Sequence, residues 1–134
     1  MLRDDSPRVR FFAAEALGRM AYAPATQPII TLLEQNNDAD VYLRHAGSLA
    51  LARIGNVPAL TALRSHPSPA VRLAAVVALR RMSNPGIAQF LNDADEAVVT
   101  EAARGINDDL SIPAALPALG RVLNATSFSN EPLL

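Results

Sequence analysis

The chain contains no cysteine and no tryptophan, and aromatic residues make up only 4% of its 134 residues. Without cysteine it can form neither disulfides nor thiolate metal sites, and it has no thiol nucleophile. Half of the residues are hydrophobic, so the core must be built mainly from Ala, Leu, Val and Ile. Because small side chains let helices approach closely, this composition favours helix-on-helix packing.

Lysine is absent as well: all 12 basic residues are arginines, and with 13 acidic residues the net charge is −1. A nearly neutral chain lacks the electrostatic footprint that non-specific nucleic-acid binding requires. No apolar run approaches the roughly 18–20 residues that span a bilayer. The expected partners are therefore proteins rather than nucleic acids, and direct insertion into a membrane is not expected.

One sequence pattern occurs four times, beginning with residues 4–20. Aligned on Val9, Leu43, Val71 and Val98, the copies read VRFFAAEALGRM, LRHAGSLALARI, VRLAAVVALRRM and VVTEAARGINDD. The anchor residues are separated by about 27 to 34 positions, and a period of that size predicts a stack of repeats.

A helix-capping residue stands three positions before each anchor: Ser6, Asp40, Ser68 and Asp95. The side-chain oxygens of Ser and Asp accept free backbone N–H groups at helix starts, and proline follows two of these caps. The caps predict four first helices, at about 7–20, 41–54, 69–82 and 96–107. In the first copy, one apolar helical stripe is predicted to comprise Val9, Ala13, Ala16, Leu17 and Met20.

A second helix in each copy is marked by proline, at Pro28, Pro58, Pro85 and Pro117. Proline is favoured in the first turn of a helix. Second helices are therefore predicted near 27–36, 57–65, 85–91 and 113–124. Pro117 allows either a kink within a longer helix or the start of a shorter one. The start is favoured, because it matches the other three copies.

Each helix pair is amphipathic and needs neighbours to cover its apolar face. The predicted fold is therefore all-α: a right-handed α-α superhelix of about four helix pairs, open at both ends. The pattern D-x-x-P-x-V-R-x-x-A-A-x-A-L-G at residues 4–18 resembles the HEAT repeat, in its short bacterial PBS-lyase-like form. This resemblance covers nearly the whole chain, and it implies a solenoid fold rather than any one activity.

A single HEAT-repeat domain is expected over residues 1–134. Its repeats are predicted at about 4–36, 38–65, 66–91 and 93–124. Residues 130–134 resemble the start of a truncated fifth repeat, because Asn130 and Pro132 would serve as its cap and first turn. The chain is therefore expected to be a fragment of a longer protein.

Aspartate and arginine recur six residues apart in the first two copies. The pairs are Asp4 with Arg10 and Asp38 with Arg44. HEAT-like stacks use this spacing for a ladder, in which the arginine of a first helix binds an aspartate of its own or the next turn. Arg72 lacks an aspartate of its own and Asp93 lacks an arginine, so these two are predicted to pair across adjacent repeats. A planar guanidinium can bind two acceptors, and the ladder is interpreted as structural.

No metal site or catalytic group is predicted. His45 and His66 are isolated, whereas a metal site needs three or four converging ligands. Adjacent carboxylates occur at turns and helix starts, where aspartate is favoured as a cap. No phosphate-binding loop or nucleophile motif is present. The chain is therefore expected to hold no cofactor or metal and not to be an enzyme.

The second helices of such a stack line its concave face, where a partner would bind. The non-core positions of these helices carry mixed charge and are the candidate partner contacts. They are Gln27, Thr31, Glu34, Gln35, Thr61, Arg64, Gln89 and Arg121.

The final third of the chain, including E-A-A-R-G-I-N-D-D-L-S-I-P-A-A-L-P-A-L, resembles HEAT segments of large bacterial membrane-bound dehydrogenases. Those proteins join a propeller-type sugar-dehydrogenase-like domain, HEAT repeats and a haem-binding cytochrome c-like domain. The resemblance implies a non-catalytic spacer or protein-interaction solenoid in an extracytoplasmic (periplasmic) parent protein. The alternative is a HEAT-type lyase or chaperone subunit that cradles a cofactor or partner in its concave groove.

Overall fold

The computed structural model describes residues 1–125, and the elements in that range are α-helices and 3-10 helices. In chain order the α-helices are α1 (Pro7–Arg19), α2 (Thr26–Asn36), α3 (Val41–Ile54), α4 (Val57–Ala62), α5 (Pro69–Arg81), α6 (Glu96–Asn107) and α7 (Leu116–Ala125). Residues 130–134, where the sequence predicts the start of a fifth repeat, lie outside the described range.

The first helices α1, α3, α5 and α6 begin directly after the four capping residues. The side chains of Ser6, Asp40, Ser68 and Asp95 each accept a backbone N–H from the first turn that follows. These bonds satisfy donors that a helix start otherwise leaves free. The bounds of all four helices agree with the predicted ranges.

The second helical elements of the four copies, called second segments below, differ from one another. Helix α2 follows a 3-10 turn, Ala23–Ala25, and α4 continues into another, Leu63–Ser65. The third predicted second helix is not an α-helix but a 3-10 helix, Pro85–Phe90. Its shortness accounts for the difference, because 3-10 geometry is typical of pieces of one or two turns.

Pro117 lies in the first turn of α7, which is preceded by the 3-10 turn Pro113–Ala115. It therefore occupies a helix start rather than a kink, as the favoured interpretation held. Proline is tolerated there because the N–H that it lacks would have had no partner within the helix.

The first helices pack side by side in a file, α1 on α3, α3 on α5 and α5 on α6. Each second segment packs on the first helix of the next copy: α2 on α3, α4 on α5, and the Pro85–Phe90 helix on α6. The main apolar core runs through the stack, and each copy contributes fully buried residues to it. A smaller cluster between α1, α2 and α3 comprises Ala14, Leu32 and Ala46. The result is an all-α solenoid.

The apolar stripe predicted for α1 is only partly buried. Ala13 is buried and Leu17 half-buried, but Val9, Ala16 and Met20 are exposed. The buried face of α1 lies instead toward α3, where Ala14 and Gly18 are covered. The equivalent stripes of α3 and α5 are covered by the first helix before them, whereas the described residues contain no helix before α1.

Gly18 marks the closest approach between α1 and α3. A Cβ atom at this position would lie 2.7 Å from the Cα of Ala50, which is backbone and cannot rotate away. Helix axes approach closely only where such small residues meet.

We expect Gly18→Ala to destabilise the protein by roughly 1–3 kcal/mol, because overpacking outweighs the gain of up to about 1 kcal/mol in helix propensity. Gly120→Ala is the matched control: it also lies in a helix, but a Cβ there would have no neighbour within 4 Å. Gly120→Ala should stabilise by about 0.5–1 kcal/mol. Urea unfolding followed by circular dichroism measures both, and changes of the same sign would contradict the close approach.

Ser48 is 1% exposed on α3, and its hydroxyl has no hydrogen-bond partner. Burying an unpaired hydroxyl costs free energy, and alanine has the higher helix propensity. We therefore expect Ser48→Ala to be neutral or to stabilise the protein by up to about 1 kcal/mol. A clear loss of stability in thermal unfolding would show that the hydroxyl has a partner.

Candidate functional site

Arg72 and Asp93 form a buried ion pair between the third and fourth copies. The Nε and Nη2 atoms of Arg72 donate to the two carboxylate oxygens of Asp93 at 2.8 and 3.0 Å. The side chains are only 12% and 4% exposed. Paired bonds of this kind fix both the distance and the orientation of the two groups.

The remaining polar atoms of this pair also have partners. The Nη1 atom of Arg72 donates to the carbonyls of His66 and Pro67, at 2.8 and 3.1 Å. The Oδ1 atom of Asp93 accepts the backbone N–H of Asp95 at 2.8 Å. The pair therefore joins the turn before α5 to the turn before α6, and its full set of hydrogen bonds offsets the cost of burial.

The other two residue pairs of the predicted ladder differ from each other. Arg44 donates to both oxygens of Asp38, at 2.9 and 3.1 Å, and this pair is more than a third exposed. No salt bridge joins Asp4 to Arg10 in the described part of the chain. Asp4 is exposed and accepts the N–H of Ser6, while the buried Nε of Arg10 has no partner.

Arg80 makes a second inter-repeat contact that sequence reasoning missed. It donates to Glu101 at 3.0 Å and to Asp108 at 3.1 Å, so it ties α5 to the middle of α6 and to the residue that follows its last turn. The signal lay in the alignment of the copies: Glu101 occupies the position held by the fully buried Ala46 and Ala74. An acidic residue at a core position indicates a partner nearby.

None of the eight candidate partner contacts on the second segments is buried. Thr31 and Thr61 are half-buried, and the remaining six are exposed. The hydroxyl of Thr61 donates to the carbonyls of Val57 and Pro58. Arg64 donates to Gln89 of the next copy, so these two are brought together across the face.

The second-segment face is the side of the stack formed by α2, α4, the Pro85–Phe90 helix and α7, and grooves open on it among the described residues. One, of about 570 Å³, runs between α2 and α4; Ile30 and Leu63 form part of its floor, and Gln27 lies at its edge. Another, of about 350 Å³, lies between the Pro85–Phe90 helix and α7 and includes Arg121. The other six candidate contacts line neither groove: Thr31, Glu34, Gln35, Thr61, Arg64 and Gln89.

An aromatic groove at the α1 end of the stack was also missed. It has a volume of about 430 Å³ and is lined by Pro7, Arg8, Phe11, Phe12, Asp40, Tyr42 and Leu43. Phe12 and Tyr42 are 55% and 72% exposed. The Phe11 and Phe12 rings meet edge to face at 5.2 Å, and the Arg8 guanidinium lies 5.9 Å from the centre of the Phe12 ring.

Little in residues 1–125 points to catalytic chemistry. Within that range no three His, Asp or Glu side chains converge on a position where they could hold a metal ion. The hydrogen bonds from the Ser111 hydroxyl and N–H lower the pKa of Asp109, which lies on an exposed turn. None of the described helices is both long enough and apolar enough to cross a membrane.

Comparison with protein families matches residues 26–91 to a model described as HEAT repeats and residues 1–23 to one described as HEAT repeat. The chain belongs to the HEAT-repeat family. The resemblance to the HEAT repeat is thereby confirmed, and α6 and α7 continue the stack of helices beyond the matched residues. Comparison with curated proteins finds no match. HEAT repeats commonly mediate protein–protein interaction and are generally non-catalytic.

We expect Arg72→Met to destabilise this HEAT domain by about 3–5 kcal/mol, because it leaves the buried carboxylate of Asp93 without its cation. Arg44→Met is the matched control at the exposed pair, and it should cost at most about 1 kcal/mol. Equal losses in urea unfolding would contradict the difference in burial. Combining Arg72→Met with Asp93→Leu should recover much of the stability, because no unpaired charge then remains.

Proposed function

We propose that this HEAT domain is a non-catalytic protein-interaction and spacer solenoid, which binds its partner on the second-segment face. The observation that carries this proposal is the groove between α2 and α4. Ile30 and Leu63, at its floor, are 4% and 8% exposed, whereas Gln27 at its edge is exposed. An apolar centre with a polar rim is the usual anatomy of a protein interface.

The arrangement of the stack supports an extended partner. Gln27, Arg64, Gln89 and Arg121 are exposed on the second segments of successive copies. They offer hydrogen-bond donors at intervals along the length of the face, and stacked repeats provide extended binding surfaces of this kind. A partner segment that follows the face would contact several copies at once.

The spacer role is proposed within a large bacterial protein related to the membrane-bound dehydrogenases. Its support is the resemblance of the final third of the sequence to the HEAT segments of those proteins. In such a parent, the redox groups would belong to other domains, and the protein would be extracytoplasmic. This HEAT domain would then set the distance between the propeller-type and haem-binding domains.

The aromatic content of the face favours a protein partner over a bound tetrapyrrole. Among the described second segments, Phe90 is the only aromatic residue, and it is 0% exposed. A planar cofactor in the groove would therefore have no Phe, Tyr or Trp side chain to stack on, whereas a peptide could use the apolar floor and polar rim.

The test replaces Gln27 by a photoreactive residue and crosslinks the domain to its partner in the source organism. The captured protein is then purified, and its binding to the domain is measured. Ala62 is exposed and lines the α2–α4 groove, so Ala62→Arg should block it and weaken binding by roughly tenfold or more. Ala97→Arg, at an exposed alanine of α6, is the matched control and should leave binding unchanged. If both variants bind equally well, or if Gln27 captures nothing, the second-segment face is not the partner site.

A further inference from the structure

A groove of about 700 Å³ opens across the first helices α3, α5 and α6. We call it the first-helix groove; it is lined by residues of these helices, and of the turns after α5 and α6, between Leu49 and Asp109. The apolar part of its lining includes Leu49, Ala52 and Val77, which are half-buried. It is larger than the α2–α4 groove and shares no residue with it.

Two arginines of this groove have guanidinium groups without a partner. Arg53 and Arg81 lie at equivalent positions in the last turns of α3 and α5. Both are exposed, and within residues 1–125 neither side chain makes a hydrogen bond or an ion pair. Because α3 packs on α5, the axes of the two helices lie roughly 8–10 Å apart. The groove therefore presents two free cations at the spacing of neighbouring helices.

A basic residue at the end of a helix also counters the helix dipole. That role does not account for the arrangement found here. Helix α2 has no basic residue in its last turn, whereas α5 has two, Arg80 and Arg81. Moreover, Arg53 and Arg81 lie beside an apolar lining, and protein interfaces are enriched in arginine. The two arginines therefore have the setting of a contact surface as well as that of a helix end.

A third arginine of the groove, Arg80, is held within the stack. It donates to Glu101 at 3.0 Å and to Asp108 at 3.1 Å, and its side chain is 31% exposed. The charge of Arg80 is therefore matched by carboxylates of this chain. Arg53 and Arg81 remain available to a group from outside, on a wall of the groove that the Arg80 contacts hold in place.

We propose that the first-helix groove binds an acidic segment of a partner protein, whose carboxylates pair with Arg53 and Arg81. A guanidinium group binds a carboxylate through two parallel hydrogen bonds, which fix the orientation of both groups. Apolar side chains between the carboxylates would pack on Leu49 and Val77, and the burial of apolar surface adds affinity. The bound segment crosses from α3 to α5.

The acidic residues at the α6 end favour a protein segment over a nucleic acid. Glu101 and Asp109 both line the groove there. A nucleic-acid strand carries one negative charge about every 3.4 Å, so its phosphates would be repelled at that end. A protein segment can place neutral or basic side chains there instead. The net charge of −1 for the whole chain also disfavours nucleic acid.

The spacing of the two arginines defines a peptide probe. In a polyproline II segment, residues three apart point the same way and lie about 9 Å from each other, close to the separation of neighbouring helices. The probe is therefore a fluorescein-labelled twelve-residue peptide with two glutamates three positions apart, and with leucine and proline between them. Fluorescence anisotropy measures its binding to the whole chain.

We expect the wild-type chain to bind this peptide, and Arg53→Glu combined with Arg81→Glu to weaken binding by roughly tenfold or more. The matched control combines Arg64→Glu with Arg121→Glu, which reverses two exposed arginines of the second-segment face and changes the net charge equally. This control should bind the peptide like wild type. A wild-type chain that does not bind, or equal weakening by both double variants, would overturn the proposal. Unfolding curves verify that each variant folds.

A charge-swapped peptide gives a second test, which a merely unfolded variant would fail. When lysines replace the two glutamates, the peptide should bind the chain with Arg53→Glu and Arg81→Glu more tightly than it binds wild type. Tighter binding of wild type to a labelled twelve-nucleotide DNA strand than to the acidic peptide would assign the groove to nucleic acid and contradict the proposal.

The first-helix groove and the second-segment face are separate sites, and their tests can fail independently. Ala62→Arg, which blocks the α2–α4 groove, should leave binding of the acidic peptide unchanged. If Ala62→Arg weakens it as much as the change at Arg53 and Arg81 does, the peptide is not bound in the first-helix groove.

Discussion

The close approach of the first helices is the constraint on which the rest of the structure depends. Gly18 meets the backbone near Ala50, and alanines such as Ala74 and Ala78 are fully buried between neighbouring helices. Small residues bring helix axes to the near end of the range of about 8–10 Å. Where α6 packs on α5, the buried ion pair between Arg72 and Asp93 adds a polar link to this packing of helices.

Because the first helices provide this packing, the second segments are free to differ. They vary from the eleven-residue helix α2 to the 3-10 helix Pro85–Phe90 without interrupting the core. Grooves form where successive second segments do not fill the space between them. The proposed partner site therefore follows from variation in the second segments, while the regularity of the first helices holds the grooves at fixed positions along the stack.

Features set by neighbouring residues could be predicted from the sequence. The four caps act through hydrogen bonds that span only two or three residues, so they placed the helix starts correctly. Features that depend on a neighbour in space could be predicted only where the register of the copies supplies that neighbour, as it does for Arg72 and Asp93. The stripe on α1 has the same pattern as the stripes on α3 and α5, yet it is exposed, since burial depends on the element that lies alongside. Likewise, Arg10 has the same spacing from an aspartate as Arg44, but its buried Nε is unpaired.

The sequence by itself determined the period, the helix starts and the membership of the HEAT-repeat family. These depend on local propensities and on a pattern that recurs along the chain. The tertiary structure decided which partners Arg80 takes, which grooves remain open and which apolar face has no cover. The physical reason is that each of these depends on distances between helices far apart in sequence, and those distances are set by the packing of many small side chains together.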